Sequence, residues 1–513
     1  LLASTIAFFV GVGGVQGVMA QEKIGAEEHR GIDEIVVTAQ KREQRLIDVP
    51  ISIEALGGEQ IKNLGIKNLN DLSYVIPSLS IQSFDDSTSV ISLRGISNQI
   101  GSSPHVGIYL DEVPLSFNPN LQVSLQPTDM QRLEVLRGPQ GTLYGQGSTG
   151  GTIRYITNNP IFNDVEGEII TSLYSTKDGG MSNETTAVVN LPVIDDRLAF
   201  RVVAGYRDVG GWIDQPDTGK KDVNDTEATN LRIKGLWQAT DNLEISGMVL
   251  RYRGELGAQN VANIKVGNVT PFYRVVERNG LPTPGTDIDV DNDIYNLTLN
   301  YDFGFATLTS SSSQFSIKKV FESSSLNIAQ DLAFNSGTID VGILEESEGF
   351  SQEIRLASAG DGNTLDWLVG AFYGDADNLL NSPDAGIYGG GVGGTFGLQR
   401  TDENSKTSAI FANIDYHISE RLTLAAGARY FEDDRTAEYE IPILSLDSTR
   451  KRRFDHFSPK LTLSYTLSDD ASIYASIAEG FRSGGFNLFS SATYDPETVR
   501  TYEFGAKASL LDG

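Results

Sequence analysis

From about residue 165 to its end the chain repeats one pattern: a segment of about ten residues alternates apolar and polar positions, then a turn rich in Gly, Asp and Asn follows. Arg197 to Arg207 sets Leu198, Phe200, Val202, Ala204 and Tyr206 on one face and Arg197, Arg201 and Arg207 on the other. A period of two is a strand. Asn296 to Asp302, Arg421 to Tyr430 and Lys460 to Leu467 repeat it, so each strand has one greasy face and one wet face. A soluble sandwich would alternate as well. Three features favour a transmembrane barrel: strand lengths that suit a tilted crossing, aromatics near strand ends (Tyr206, Trp237, Tyr252, Tyr301, Tyr373, Tyr430), and alternately short and long connections. Short turns fall near residues 195–196, 240–242, 419–420 and 468–470, with long loops over 208–226, 254–290, 320–347, 376–403 and 432–452. The pattern predicts about fourteen antiparallel strands in an all-β barrel spanning 165–513.

Residues 46–160 follow a different rhythm. Helical segments are predicted over 57–64 and 68–75, and short apolar strands over 51–53, 79–81, 90–93 and 108–110, which makes a compact α+β domain ahead of the barrel. Residues 1–20 carry no charge and begin with an apolar run, which predicts part of a signal peptide with cleavage after Ala20. A membrane helix is the competing reading, and Gly11, Gly13, Gly14 and Gly17 interrupt it. No later stretch is long and apolar enough for a spanning helix, so if the protein sits in a membrane, strands must put it there.

Charge narrows the partners. Forty Lys and Arg stand against 68 Asp and Glu, a net charge of −28, which argues against nucleic acid as a partner. With no Cys, disulfides, thiolate metal sites and cysteine nucleophiles are excluded. Gly145 to Gly150 matches G-x-G-x-x-G, but residues 151–156 after it read as strand, whereas a dinucleotide site needs a helix there. Asp287, Asp289, Asp291 and Asp293 alternate in a predicted outer loop without the Gly and Glu of a calcium loop. His29, His105, His417 and His456 show no ligand spacing. The expectation is no enzyme, no metal site and no cofactor.

The run from Met130 to Thr157 carries the most specific signal. Arg132, Glu134, then Gly138-Pro139, Tyr144-Gly145 and Gly150-Gly151 before a final strand resemble the plug of a TonB-dependent outer-membrane receptor, siderophore receptors included. Residues 92–96 (Ser-Leu-Arg-Gly-Ile), 106–114 (Val-Gly-Ile-Tyr-Leu-Asp-Glu-Val-Pro) and 478–487 match further motifs of that family in order. Asp33, Glu34, Ile35, Val36, Val37, Thr38 and Ala39 resemble its TonB box, and their β-branched residues favour an extended backbone able to add to a partner's sheet. An ordinary plug strand is the plainer reading of that segment.

The resemblance implies residues 21–45 as a periplasmic tail, 46–160 as a plug inside the lumen, and active import of a scarce small ligand across the bacterial outer membrane. A ferric siderophore is the expected cargo, ahead of cobalamin, haem and oligosaccharide, and a TonB energy-transducing protein and outer-membrane lipid are the implied partners. A passive porin needs neither plug nor box. Plug arginines Arg94 and Arg137 are expected to pair with lumen carboxylates such as Glu479 and Glu503. Ligand contacts are expected around 83–89, 98–105 and 115–121. A plugged transporter of this class has twenty-two strands, so the sequence predicts a fragment truncated at both ends and lacking about eight.

Overall fold

The computed structural model describes residues 6–9, 35–85, 87–97, 103–116, 123, 125–214, 220–257, 288–326, 338–360, 364–382, 385–389, 392–396, 399–442, 445–486 and 493–509. Fourteen long strands, from Glu166–Ser175 to Glu497–Ala508, run antiparallel in strictly sequential order. The same sheet takes in a short hairpin, Ala385–Gly389 with Val392–Phe396, and the four-residue strand Ile6–Phe9 along the edge at Ile170 to Leu173. Alternation places Phe200, Leu231, Trp237, Leu297 and Ile410 on the outer face, each more than a third exposed. An apolar surface of that extent needs hydrocarbon. Trp237, Tyr301, Tyr416 and Tyr465 form an aromatic level beside the short turns, and Tyr206, Tyr295, Tyr373 and Tyr430 form a second level higher up. Tyr206 lies opposite Thr229, eight residues from Trp237 on the same strand, so the tilted separation is about 20 Å, close to an outer-membrane apolar band. Tyr252 differs from expectation: it faces the lumen and is buried.

The strands outrun the crossing. Lengths rise from ten residues to 23 in Leu446–Ser468, so much of the predicted loops at 338–347, 376–382, 399–403 and 432–452 is strand. Cross-strand pairs explain the extension, since Arg453 meets Glu432 at 2.6 Å and Lys318 meets Glu346 at 3.0 Å. For the same reason Asp289, Asp291 and Asp293 sit on the strand Ile288–Asp302 rather than in a loop, with Arg251 and Arg253 across from Asp293 and Asp291. Asp287 lies outside the described residues. No group of three potential metal ligands occurs among the described residues.

The plug occupies the lumen. Helices Gly58–Asn63 and Leu72–Val75, with a 3-10 turn at Leu69–Asp71, lie close to the predicted segments. The first strand is Ile53–Gly57 rather than 51–53, because its register is set by pairing with Arg132 to Leu136. A five-stranded sheet runs Ile53–Gly57, Met130–Arg137, Gly151–Thr157, Val106–Leu110, Val113–Pro114. Gly151 starts its strand at φ +151°, where a Cβ would run into Leu136 O and the Leu93 side chain. Ion pairs tie this domain to strands from one end of the sheet to the other: Lys62 to Glu168, Lys67 to Glu184, Asp129 to Arg201, Asp85 to Lys319, Arg42 to Asp415 and Arg94 to Glu503. Partners on six separate strands require that the sheet curl around the plug.

Candidate functional site

The strand Met130–Arg137 sends Leu133 and Val135 into the plug core and places Arg132 and Glu134 on its other face. Glu134 is fully buried and lies directly opposite Arg154 of Gly151–Thr157. Arg154 Nη1 donates to Glu134 Oε2 at 2.7 Å, and Arg132 Nε donates to Oε1 at 2.8 Å. Burial alone would raise the Glu134 pKa, but Arg154, the Thr38 N–H and Arg132 outweigh it and hold the carboxyl below the ordinary glutamate range.

That ion cluster holds the N-terminal tail. Thr38 N–H donates to Glu134 Oε1 at 2.8 Å, while its hydroxyl oxygen accepts from Arg154 at 2.8 Å and from Arg132 at 3.0 Å. Tyr144 of the short helix Gly141–Tyr144 donates its hydroxyl to Ala39 O at 2.9 Å. Val37 and Ala39 are buried in an apolar cluster with Leu136, Leu143, Tyr144 and the barrel residues Leu368 and Phe411. Val36, by contrast, is 42% exposed. The chain then turns at Lys41, whose Nζ meets Glu112 at 3.1 Å and Glu353 of the barrel at 3.3 Å. Arg355 of the same barrel strand grips Glu112 through both terminal nitrogens, at 2.7 and 3.2 Å. Burial would raise the Glu112 pKa; Arg355, Lys41 and Arg154 together drive it far below the ordinary range. A continuous run of charge therefore links barrel wall, plug turn and tail.

Of the predicted box residues, Val37, Thr38 and Ala39 are docked, Ile35 packs at the cluster's edge, and Asp33 and Glu34 fall outside the described residues. Val36–Val37 pairs with Gln44–Arg45 as a two-residue antiparallel ladder. Among the plug-motif residues, Gly138 and Gly145 both take positive φ, and a Cβ at Gly145 would press on the Arg429 guanidinium at 3.0 Å. Pro139 lies against Gly480, and Gly150 N–H donates to His105 O at 2.8 Å.

The expected plug–barrel pairs divide. Arg94 and Gly95 are the two positive-φ residues of a tight turn between Thr88–Leu93 and Ile96–Ser97, and Arg94 Nη1 reaches Glu503 at 2.6 Å. Arg137 does not reach the wall. It pairs within the plug with Glu54 of the neighbouring strand, the closer carboxylate. Glu479 instead accepts from Arg500 at 2.8 Å on the adjacent barrel strand and lies 3.2 Å from His456. Lys41, Glu112, Glu353 and Arg355 were not singled out by sequence. Glu112 lies within a plug motif, and the lumen parity of its strand would have flagged Arg355. The predicted ligand loops are only partly described, since residues 86, 98–102 and 117–121 lie outside the described set.

Comparison with known proteins agrees on both domains. Residues 45–152 match the family model of the TonB-dependent Receptor Plug Domain, and residues 223–513 match the model described as TonB dependent receptor-like, beta-barrel. The pesticin receptor of Yersinia pestis is 27% identical over 496 residues, covering 93% of this chain and 68% of that protein. The ferrioxamine B receptor of Salmonella typhimurium is 23% identical over 520 residues, covering 94% and 69%. Among solved structures, the ferric yersiniabactin uptake receptor of Yersinia pestis superposes with a TM-score of 0.74 at 23% identity, covering 90% of this chain and 70% of that one, which shows a common fold.

Proposed function

The chain belongs to the TonB-dependent receptor family, proteins of the Gram-negative outer membrane, and from that premise we propose that it imports a ferric siderophore complex using energy relayed by TonB. The observation that carries this reading is the docked tail. A segment able to add to a partner's sheet is held on the periplasmic side of the plug by the buried Glu134 cluster, with Val36 left open to solvent. A passive porin has no use for such a catch. The cargo is inferred from relatives whose names specify ferrioxamine B and ferric yersiniabactin. A hemin receptor of Yersinia enterocolitica also matches, over 43% of this chain, which makes haem the second candidate.

Ligand binding outside shifts the tail only if it favours the plug state in which Thr38 is released, since affinity alone moves no equilibrium. TonB then pairs with the freed segment and pulls. Arg132, Arg154 and Tyr144 hold the tail until that moment, and Lys41 with Glu112 carries the pull to the barrel wall at Arg355. The test is radioiron uptake by cells lacking other receptors, offered as ferric yersiniabactin, ferrioxamine B or hemin. TonB-dependent accumulation of a siderophore complex supports the reading. Uptake of hemin alone would move the cargo to haem, and uptake that persists without TonB would overturn active import.

A further inference from the structure

One sector of the wall combines a lack of polar ties to the plug with an open space beside it. No hydrogen bond or ion pair joins the strand Ile288–Asp302, or residues 306–313 of the next strand, to the plug among the described residues. Contact there is apolar and confined to the upper half, where Leu250, Ile294 and Phe315 lie at one level across three strands and join the plug's own core cluster with Leu115, Val123 and Leu125. Below that level the plug stands away from the wall, leaving a cavity of about 1430 Å³ bordered by Val36, Gln60, Glu112, Ser246, Asn296 and Thr309.

The cavity wall has its own chemistry. Asn296 Nδ2 donates to Ser311 Oγ at 2.9 Å and Ser313 Oγ at 3.0 Å, Thr298 donates to Asn296 Oδ1 at 3.1 Å, and Thr309 donates to Asn300 Oδ1 at 2.9 Å. On these two strands the wall is a ladder of hydroxyls and amides, and the charged barrel groups of the cavity, Lys234 and Glu244 to one side and Arg355 and Asp366 to the other, carry both signs. Because these groups find partners within the wall, movement of the plug leaves none of them stranded. Elsewhere, parting plug from wall separates buried ion pairs, such as Lys319 with Asp85 at 2.7 Å, and strands both charges.

We infer that the cargo crosses along this sector: the collar of Leu250, Ile294 and Phe315 parts from the plug, and the hydroxyl–amide wall below receives a hydrophilic, hydrogen-bond-rich ligand without selecting one sign of charge. The inference rests on the import reading and assigns that import a path. Met248, opposite Asn296, marks the boundary between seal and vestibule. The flanking ion pairs, Lys234 with Asp111 and Lys319 with Asp85, stay closed during passage, so the plug yields between them rather than leaving the barrel.

The chain has no Cys, so single cysteines report cleanly. Asn296 and Asn413 both face the lumen, each lies six residues from the periplasmic end of its strand, Asp302 and Ser419, and the strand of Asn413 is tied to the plug by Asp415 with Arg42. In intact cells an impermeant maleimide added outside is expected to label Asn296→Cys about tenfold faster when TonB is energised, with Asn413→Cys unchanged, because the rate follows the open fraction. Equal acceleration at both sites, or none at Asn296→Cys, overturns the path. A bis-maleimide bridge between Leu125→Cys and Leu250→Cys is a second test in the full-length chain: lost uptake with retained ligand binding supports the path, and uptake unchanged by the bridge overturns it. TonB-dependent radioiron uptake in the parent chain judges the import reading separately.

Discussion

Glu134 and Glu503 both accept an arginine, yet they sit in unlike surroundings. Glu134 is wholly inaccessible and takes two guanidinium groups plus a backbone N–H, all inside the plug and its tail. Glu503 lies on the barrel wall, where it takes Arg94, the Tyr474 hydroxyl and the Ser52 N–H, and the Arg94 side chain remains one-third exposed. Removing one member of a buried charge cluster leaves uncompensated charge, whereas a wetted pair loses little because water replaces the partner. The first arrangement suits a catch that must hold until pulled. The second suits a fastening that orients the plug while allowing it to give way.

The largest effect is expected at the catch. Glu134→Ala leaves Arg154, which is 1% exposed, without its main counter-charge and frees the Thr38 N–H, a loss of about 3–5 kcal/mol in docking and plug stability. Maleimide labelling of Val36→Cys should then be fast with or without ligand. If labelling stays ligand-dependent in that variant, the cluster does not hold the tail. Glu134→Gln keeps an acceptor for Thr38 and should fall between the two, which separates release of the tail from general unfolding.

Acid should reach the same result without mutation. Glu134 and Glu112 both titrate below the ordinary glutamate range, so the stabilisation they supply is complete above that range and is lost as pH falls through their lowered folded values. Tail docking, followed by Val36→Cys labelling in detergent, is expected to be flat from neutral pH down to about 5 and to fail only in stronger acid. A midpoint near pH 6 would point to a histidine and not to these carboxylates.

How much of this was legible in the sequence follows from which forces act locally. Alternation in Asn296 to Asp302 gave strand, face and lipid exposure together, because a period of two reports side-chain direction directly. The plug strand Met130–Arg137 was equally plain. Long-range choices were less so: Arg137 had carboxylates available on both plug and wall, and only the pairing of its strand with Ile53–Gly57 brings Glu54 nearer than Glu503. Strand ends were also misplaced above the membrane, where no lipid face enforces alternation and charge pairs such as Glu432 with Arg453 continue the ladder. The apolar collar ran against the expected polar lumen, since Leu250 and Ile294 look toward a plug whose position no local pattern reveals.

Tyr144→Phe probes the catch more gently. It deletes the hydroxyl that donates to Ala39 O while keeping the ring between Leu143 and the apolar cluster, so a loss of about 1 kcal/mol is expected. That corresponds to roughly a fivefold rise in the undocked fraction, read as faster Val36→Cys labelling without ligand and unchanged thermal stability of the barrel. An unchanged labelling rate would remove Tyr144 from the catch and leave Thr38 as its main contact.

The smallest effect is expected on the wall side of the comparison. Arg94→Ala removes one exposed cation, and Glu503 keeps its hydrogen bonds from Tyr474 and Ser52, so the cost should stay below about 1 kcal/mol. The turn itself adds nothing further, because Arg94 takes φ +54°, which alanine tolerates no better than arginine, so the backbone contribution cancels in this substitution. Thermal unfolding in detergent should shift by a few degrees at most, and Val36→Cys labelling should keep its ligand dependence. Should Arg94→Ala instead release the tail as fully as Glu134→Ala, the two regions would be one cooperative unit, and the contrast between a buried catch and a wetted fastening would fail.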